Sequence, residues 1–66
     1  MTITINGTVR QVPEGTTVEQ AVALIASAPQ GVAVAVNGEV VRRASWPATR
    51  LAPGDRVEVV TAVQGG

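Results

Sequence analysis

The chain contains two Asn-Gly pairs, Asn6-Gly7 and Asn37-Gly38, and each follows a run of alternating residues. Asn-Gly is the strongest two-residue signal for a β-hairpin, because a type I′ turn needs positive φ at both central positions. Residues 2–5 alternate Thr with Ile, and residues 32–36 alternate Val with Ala. The sequence therefore predicts two hairpins, one pairing strands 2–5 and 8–12, the other pairing strands 32–36 and 39–41.

A single helix is predicted between the two hairpins. Thr17 is followed three residues later by Gln20, which is the spacing of a capping box, and Thr17 is the expected N-cap. Pro29 disfavours helical backbone in the residue before it, so the helix is expected to end around 27–28. Apolar residues recur at helical spacing on one stripe, which Leu24 widens: Val18, Ala21, Val22 and Ile25.

The last third of the chain predicts an irregular or 3₁₀ connection over 42–49, a long strand over 56–63 and a tail over 64–66. The order β-β-α-β-β-β can close a core only if the helix crosses one face of a mixed sheet. The simplest arrangement places the last strand in the middle, parallel to the first. This is an α+β, β-grasp (ubiquitin-like) fold with four to five strands and a single domain at 1–63. The residues expected to face the helix are Ile3, Ile5, Val34, Val36, Val57 and Val59.

Composition excludes most catalytic chemistry. The chain has 66 residues, no cysteine, no histidine and a formal net charge of zero. It therefore has no thiolate nucleophile, no Cys/His zinc site and no imidazole base. A pocket of about 300–1,000 Å³ would leave so small a domain little core. We expect a protein that is not an enzyme and binds no metal or nucleic acid. The sequence contains neither a signal peptide nor a membrane helix, and we expect it to be cytoplasmic.

The chain ends in Gly65-Gly66 after a strand rich in β-branched residues. Glycines lack a Cβ atom, so such a tail can pass through a channel too narrow for other residues. Three extended residues past Val63 span roughly 10 Å, which would bring the Gly66 carboxylate to another protein's active site. A terminal carboxylate is a poor electrophile, but it can attack the α-phosphate of ATP, and a sulfur nucleophile can then displace AMP and leave a thiocarboxylate. A frayed chain end is the alternative interpretation.

Several short motifs recur in a specific order along the whole chain. They are Ile3-Thr4-Ile5-Asn6-Gly7, Gly15-Thr16-Thr17-Val18, Val34-Ala35-Val36-Asn37-Gly38, a V-x-R-x-x-W pattern at Val41, Arg43 and Trp46, Leu51, Gly54-Asp55 and Gly65-Gly66. In this order and spacing the chain resembles the ThiS family, the sulfur carrier proteins of thiamine biosynthesis. Arg42 departs from the pattern, since many relatives are expected to have proline there.

The resemblance implies a β-grasp fold and a role as a protein cosubstrate. It implies that Gly66 is the sulfur-carrying residue and that Gly65 is its threading neighbour. The expected partners are an adenylyltransferase of the ubiquitin-activating type, which uses ATP and Mg, then thiazole synthase, with sulfur supplied indirectly by a cysteine desulfurase. No cofactor is expected on the chain itself.

Two groups of residues are candidates for docking a partner. Arg43 and Trp46 form the first group, and the outward side of the last strand, at Glu58, Val60 and Ala62, forms the second. The alternative for the first group is structural, with Trp46 covering the core and Arg43 an exposed charge. Alternatives for the whole chain are a carrier resembling the small subunit of molybdopterin synthase, a ubiquitin-like modifier, or a β-grasp interaction module without tail chemistry.

Overall fold

The computed structural model describes residues 1–26 and 31–61. Over these ranges the chain forms β1 (Thr2–Ile5), β2 (Thr8–Gln11), α1 (Val18–Ala23), β3 (Val32–Val36), β4 (Glu39–Val41), the 3₁₀-helix η1 (Arg43–Ala48) and β5 (Arg56–Thr61). The predicted bounds of β1, β3 and β4 agree with these, and β2 ends one residue before the predicted Val12. The predicted end of the last strand, at 62–63, and the tail at 64–66 lie outside the described residues. No helix in the described ranges is long and apolar enough to cross a membrane.

The five strands form one mixed sheet in the order β2-β1-β5-β3-β4. β1 pairs antiparallel with β2 and parallel with β5, whereas β3 pairs antiparallel with both β4 and β5. The last strand therefore lies in the middle with a hairpin on each side. The predicted α+β, β-grasp architecture is confirmed.

Both hairpins turn at the predicted Asn-Gly pairs. The φ angles are 50° at Asn6 and 82° at Gly7 in the first turn, and 51° at Asn37 and 85° at Gly38 in the second. Positive φ at both central positions is what a type I′ turn requires. These turns also fix the register of each hairpin, with Ile5 opposite Thr8 in the first.

The helix begins at the predicted cap. Thr17 Oγ1 accepts from the Gln20 amide at 3.2 Å, and the Thr17 amide donates to Gln20 Oε1 at 3.0 Å. These two bonds form a capping box and satisfy two amides that the first turn of a helix leaves without partners. The predicted start is therefore confirmed.

The predicted end of the helix, around 27–28, is wrong, because α1 ends at Ala23. The amides of Leu24 and Ile25 donate to carbonyls three residues back, at 3.2 and 3.1 Å, which tightens the last turn. Leu24 is 50% exposed and Ile25 is 38% exposed, so neither adds core contacts that would hold a further helical turn. The apolar stripe is buried only over Val18, Ala21 and Val22.

The core lies between α1 and one face of the sheet. Of the six residues predicted to face the helix, Val36 is partly buried and the other five are buried. Three further large side chains complete this core from loops and from η1: Val12, Trp46 and Leu51. Two backbone hydrogen bonds link residues 49–51 to residues 16–18. The Val18 amide donates to the Thr49 carbonyl, and the Leu51 amide donates to the Thr16 carbonyl. The loop before β5 is thereby fixed against the start of the helix.

Candidate functional site

The side chains of β5 alternate between the core and the open face of the sheet. Val57 and Val59 are buried beneath the helix, whereas Arg56, Glu58 and Val60 are exposed. Successive residues of a strand point to opposite faces, so the three exposed residues share the face away from α1. The outward orientation predicted for Glu58 and Val60 is therefore seen, and Ala62 lies outside the described residues.

Val60 belongs to a small apolar patch on this open face. It lies opposite Ala33 of β3, and Ala35 of β3 lies opposite both Glu58 of β5 and Val40 of β4. Directly paired residues have side chains on the same face of a sheet. Val40 is 79% exposed and Val60 is 64% exposed. We call Ala33, Ala35, Val40 and Val60 the outer patch.

The sequence prediction missed Val40. The alternation at 32–36 contained a signal, because it directs Ala33 and Ala35 to the face opposite the core. A residue of β4 must lie beside these alanines in the second hairpin. Finding Val40 also required the register that places it opposite Ala35. An exposed valine next to two alanines and Val60 forms a continuous apolar surface.

Arg43 and Trp46 lie on the other side of the sheet. Trp46 is 3% exposed and packs in the core, and its Nε1 donates to the Val41 carbonyl at 3.0 Å. Arg43 is exposed, and its guanidinium carbon lies 6.0 Å from the centroid of the Trp46 ring. The three residues of the V-x-R-x-x-W pattern thus interact with one another, with Trp46 at the centre. The structure favours the structural interpretation of Trp46 and does not bring this pair together with Val60.

The turn before β5 sets where this strand begins. Asp55 accepts from the Ala52 amide through Oδ2 at 2.7 Å and from Asn37 Nδ2 through Oδ1 at 3.0 Å. Gly54 has a φ of 83°, and its amide donates to the Thr2 carbonyl at 2.7 Å. The Gly54-Asp55 motif therefore ties the start of β5 to both neighbouring strands.

A separate groove of about 580 Å³ lies between β2, the following loop and α1. Arg10, Glu14, Gln20 and Leu24 are among its lining residues. Arg10 Nε is buried there without a hydrogen-bond partner. Thr16, also in the lining, donates its hydroxyl to the Pro13 carbonyl at 2.6 Å. Within 1–26 and 31–61, no group of three or more Asp or Glu side chains could hold a metal ion.

Sulfur chemistry was predicted at Gly66, with Gly65 as the threading residue, and both lie outside the described residues. The structure describes how the chain approaches them. β5 is the central strand, and its last residue, Thr61, pairs with Val32 of β3. The outer patch includes Val60, the residue before Thr61. The apolar surface and the chain that leads to the tail are therefore adjacent.

Comparison with known proteins agrees with this fold over the full chain. The model of the ThiS family matches residues 3–66. The crystal structure of the thiamine biosynthesis protein (ThiS) from Geobacter metallireducens is 35% identical, with a TM-score of 0.83 and coverage of 100% of both chains. The NMR solution structure of a thiamine biosynthesis protein from the same organism is also 35% identical, with a TM-score of 0.79, and the match covers 100% of this chain and 88% of that one. No curated protein sequence matches.

These matches extend over nearly every residue of the chain. The family match also runs through 64–66, which follow the central strand. The resemblance predicted from the sequence motifs is confirmed: this chain belongs to the ThiS family.

Proposed function

We propose that this chain is a sulfur carrier of thiamine biosynthesis, and that partner enzymes act on it as a protein cosubstrate. The observation that carries the proposal is the match to the ThiS family over residues 3–66, which includes Gly65-Gly66. The full-length similarity to a thiamine biosynthesis protein (ThiS) supports the same pathway. The absence of cysteine and histidine leaves the chain few nucleophiles of its own.

The chemistry is proposed to occur at the carboxylate of Gly66. A carboxylate oxygen attacks the α-phosphate of ATP, pyrophosphate leaves, and an acyl-adenylate forms. The terminal sulfur of a persulfide then attacks the activated carbonyl and AMP leaves, and a thiol reductant supplies the two electrons that cleave the resulting acyl disulfide to a thiocarboxylate. The activating partner is an adenylyltransferase of the ubiquitin-activating type that uses ATP and Mg. Sulfur comes indirectly from a cysteine desulfurase and is delivered to thiazole synthase.

The folded domain is proposed to supply binding energy away from the reacting atoms. The outer patch adjoins the strand that leads to the tail, so a partner that covers the patch also lies beside the tail. Remote contacts of this kind hold a reacting group in place and lower the entropic cost of the reaction. Val60 and Ala62 remain proposed docking residues, and Arg43 and Trp46 lie on the opposite side of the sheet, where Trp46 has almost no exposed surface.

Intact-mass analysis tests the carrier proposal. The purified protein is incubated with the activating enzyme, MgATP, a desulfurase with cysteine and a thiol reductant, and its mass is compared with that of the untreated protein. The expected result is replacement of one oxygen by one sulfur, which tandem mass spectrometry localises to Gly66. If only the free acid is found in the complete reaction, the carrier proposal is refuted.

A variant lacking Gly66 is the matched control for that experiment. Gly66 follows the last strand of the domain, so its deletion should leave the thermal unfolding midpoint unchanged while abolishing sulfur incorporation. Addition of one residue after Gly66 should have the same effect. The pathway is tested separately, by supplying the thiocarboxylate form to thiazole synthase with its other substrates. Sulfur transfer to a molybdopterin precursor instead, or attachment to target lysines, would reassign the chain to one of the alternative functions.

A further inference from the structure

The asparagine of the first hairpin turn has a second role that its turn conformation does not require. Asn6 Nδ2 donates to the Val59 carbonyl at 3.0 Å, and the Val59 amide donates to Asn6 Oδ1 at 2.8 Å. The two residues are 53 positions apart in the sequence. A side-chain carboxamide has the same donor and acceptor as a peptide group, and here it pairs with both backbone groups of one residue.

This pairing continues the parallel ladder between β1 and β5 beyond the end of β1. The Thr4 amide donates to the Asp55 carbonyl at 3.0 Å, and the Asn6 amide donates to the Val57 carbonyl at 2.9 Å. The next step of the ladder would reach Val59, but the chain turns away at Gly7 to form β2. The Asn6 side chain thus takes the place of the backbone that the turn removes.

The asparagine of the second turn provides a close comparison. Asn37 Oδ1 accepts from the Arg56 amide at 3.0 Å, and Asn37 Nδ2 donates to Asp55 Oδ1 at 3.0 Å. Both asparagines are in the left-handed region, and each side chain makes two hydrogen bonds to the last strand or the turn before it. Asn37 binds where β5 begins, whereas Asn6 binds Val59, two residues before the last described residue, Thr61.

We infer that Asn6 is a positioning residue for the C-terminal tail, acting through Val59. By bonding both backbone groups of Val59 it holds the edge of β5 that faces β1, while β3 pairs with the other edge as far as Thr61. The inference rests on the proposed function, because the position of this strand matters only if a partner must receive the tail while it holds the domain. A reacting group held in one orientation reacts faster than one that must search for it.

Hydrogen exchange in the free protein tests the local part of the inference. Asn6→Gly removes both side-chain bonds, and glycine adopts positive φ without strain. Asn37→Gly is the matched control, since it removes the same number of bonds from the same turn position without touching Val59. The quantity to compare is the exchange rate of the Val59 amide divided by that of the Val57 amide. This ratio should rise at least about fivefold in Asn6→Gly and stay at the wild-type value in Asn37→Gly. An unchanged Val59 amide in Asn6→Gly would overturn the inference.

Activation kinetics test the functional part, at a temperature where all variants are fully folded. Asn6→Gly should lower kcat for adenylation by at least about threefold with a similar KM, because the outer patch is intact and only delivery of the tail is impaired. Asn37→Gly should behave like the wild type.

Two kinetic results would overturn the inference alone, and a third would refute the proposed function together with it. Equal losses of kcat in Asn6→Gly and Asn37→Gly would mean that both asparagines act only through stability. A rise in KM with unchanged kcat in Asn6→Gly would mean that the residue affects docking and not delivery. Wild-type protein that is never adenylated would refute the proposed function, and a positioning role in activation would be refuted with it.

Discussion

Replacement of Trp46 by phenylalanine separates a structural role of this residue from a docking role. Trp46 is 3% exposed, and its Nε1 donates to the Val41 carbonyl at 3.0 Å. Phenylalanine keeps an aromatic ring in the core but cannot donate that bond. The carbonyl of Val41 loses its side-chain donor, and the smaller ring leaves part of the tryptophan volume empty.

The expected loss can be worked out from these two effects. A buried polar group left without its partner costs about 1–3 kcal/mol, and the void adds to this, while complete removal of a buried aromatic side chain costs about 3–5 kcal/mol. Trp46→Phe should therefore lower the free energy of unfolding by about 2–3 kcal/mol. In a domain of this size each kcal/mol corresponds to about 4–8 °C, so the melting temperature should fall by at least about 8 °C.

Urea unfolding followed by far-UV circular dichroism measures this loss, because the variant lacks the chain's single tryptophan as a fluorescent probe. Arg43→Ala is the control. Its guanidinium lies over the same ring at 6.0 Å but is exposed, so its removal should cost no more than about 1 kcal/mol. A Trp46→Phe protein within about 0.5 kcal/mol of the wild type, with an unchanged m-value, would refute this account of the core. A folded Trp46→Phe protein that docks poorly would make Trp46 a contact residue instead.

Three further predictions concern the helix cap, the second hairpin turn and the outer patch. Thr17→Ala should lower the free energy of unfolding, measured in urea, by about 1 kcal/mol, because it removes the side-chain acceptor of the Gln20 amide. Adding Gln20→Ala should lower it further, because that side chain makes the other bond, to the Thr17 amide; a Thr17→Ala protein as stable as the wild type would contradict the cap. Gly38→Ala should lower the free energy of unfolding by about 1–2 kcal/mol through backbone strain alone, since φ is 85° and no atom lies within 4 Å of a Cβ built there. A larger loss, measured by thermal unfolding, would indicate a steric clash. Val60→Arg should leave the free energy of unfolding within about 0.5 kcal/mol of the wild type yet raise the KM for activation. Val9→Arg, on the same open face but on β2, at a site 65% exposed against 64% for Val60, should not raise it; equal effects would extend the docking surface beyond the outer patch to β2.

The hairpins and the start of the helix could be predicted because their signals are local. An Asn-Gly pair fixes two φ angles, and a Thr with Gln three residues later caps a helix, whatever the rest of the chain does. The strand order followed from the need to cover one sheet face with one helix. These features are confirmed in the turns at Asn6 and Asn37 and in the Thr17 cap.

The features that the sequence did not predict depend on distant contacts. The helix ends at Ala23 because Leu24 and Ile25 find little core to pack against, and a stripe of apolar residues does not reveal how far the sheet extends beneath it. Val40 enters the outer patch through its register with Ala35. The second role of Asn6 requires a strand 53 residues away. The predicted chemistry at Gly66 lies beyond what the structure describes.

The position of β5 also has a consequence for the order in which the protein folds. The strand made last during synthesis lies in the middle of the sheet, between β1 and β3. Until it arrives, the two hairpins have no shared neighbour, and contacts between distant parts of a chain carry a large cost of loop closure. The complete sheet can therefore form only after β5 has been synthesised. A chain truncated before β5 would have two hairpins and no strand to join them.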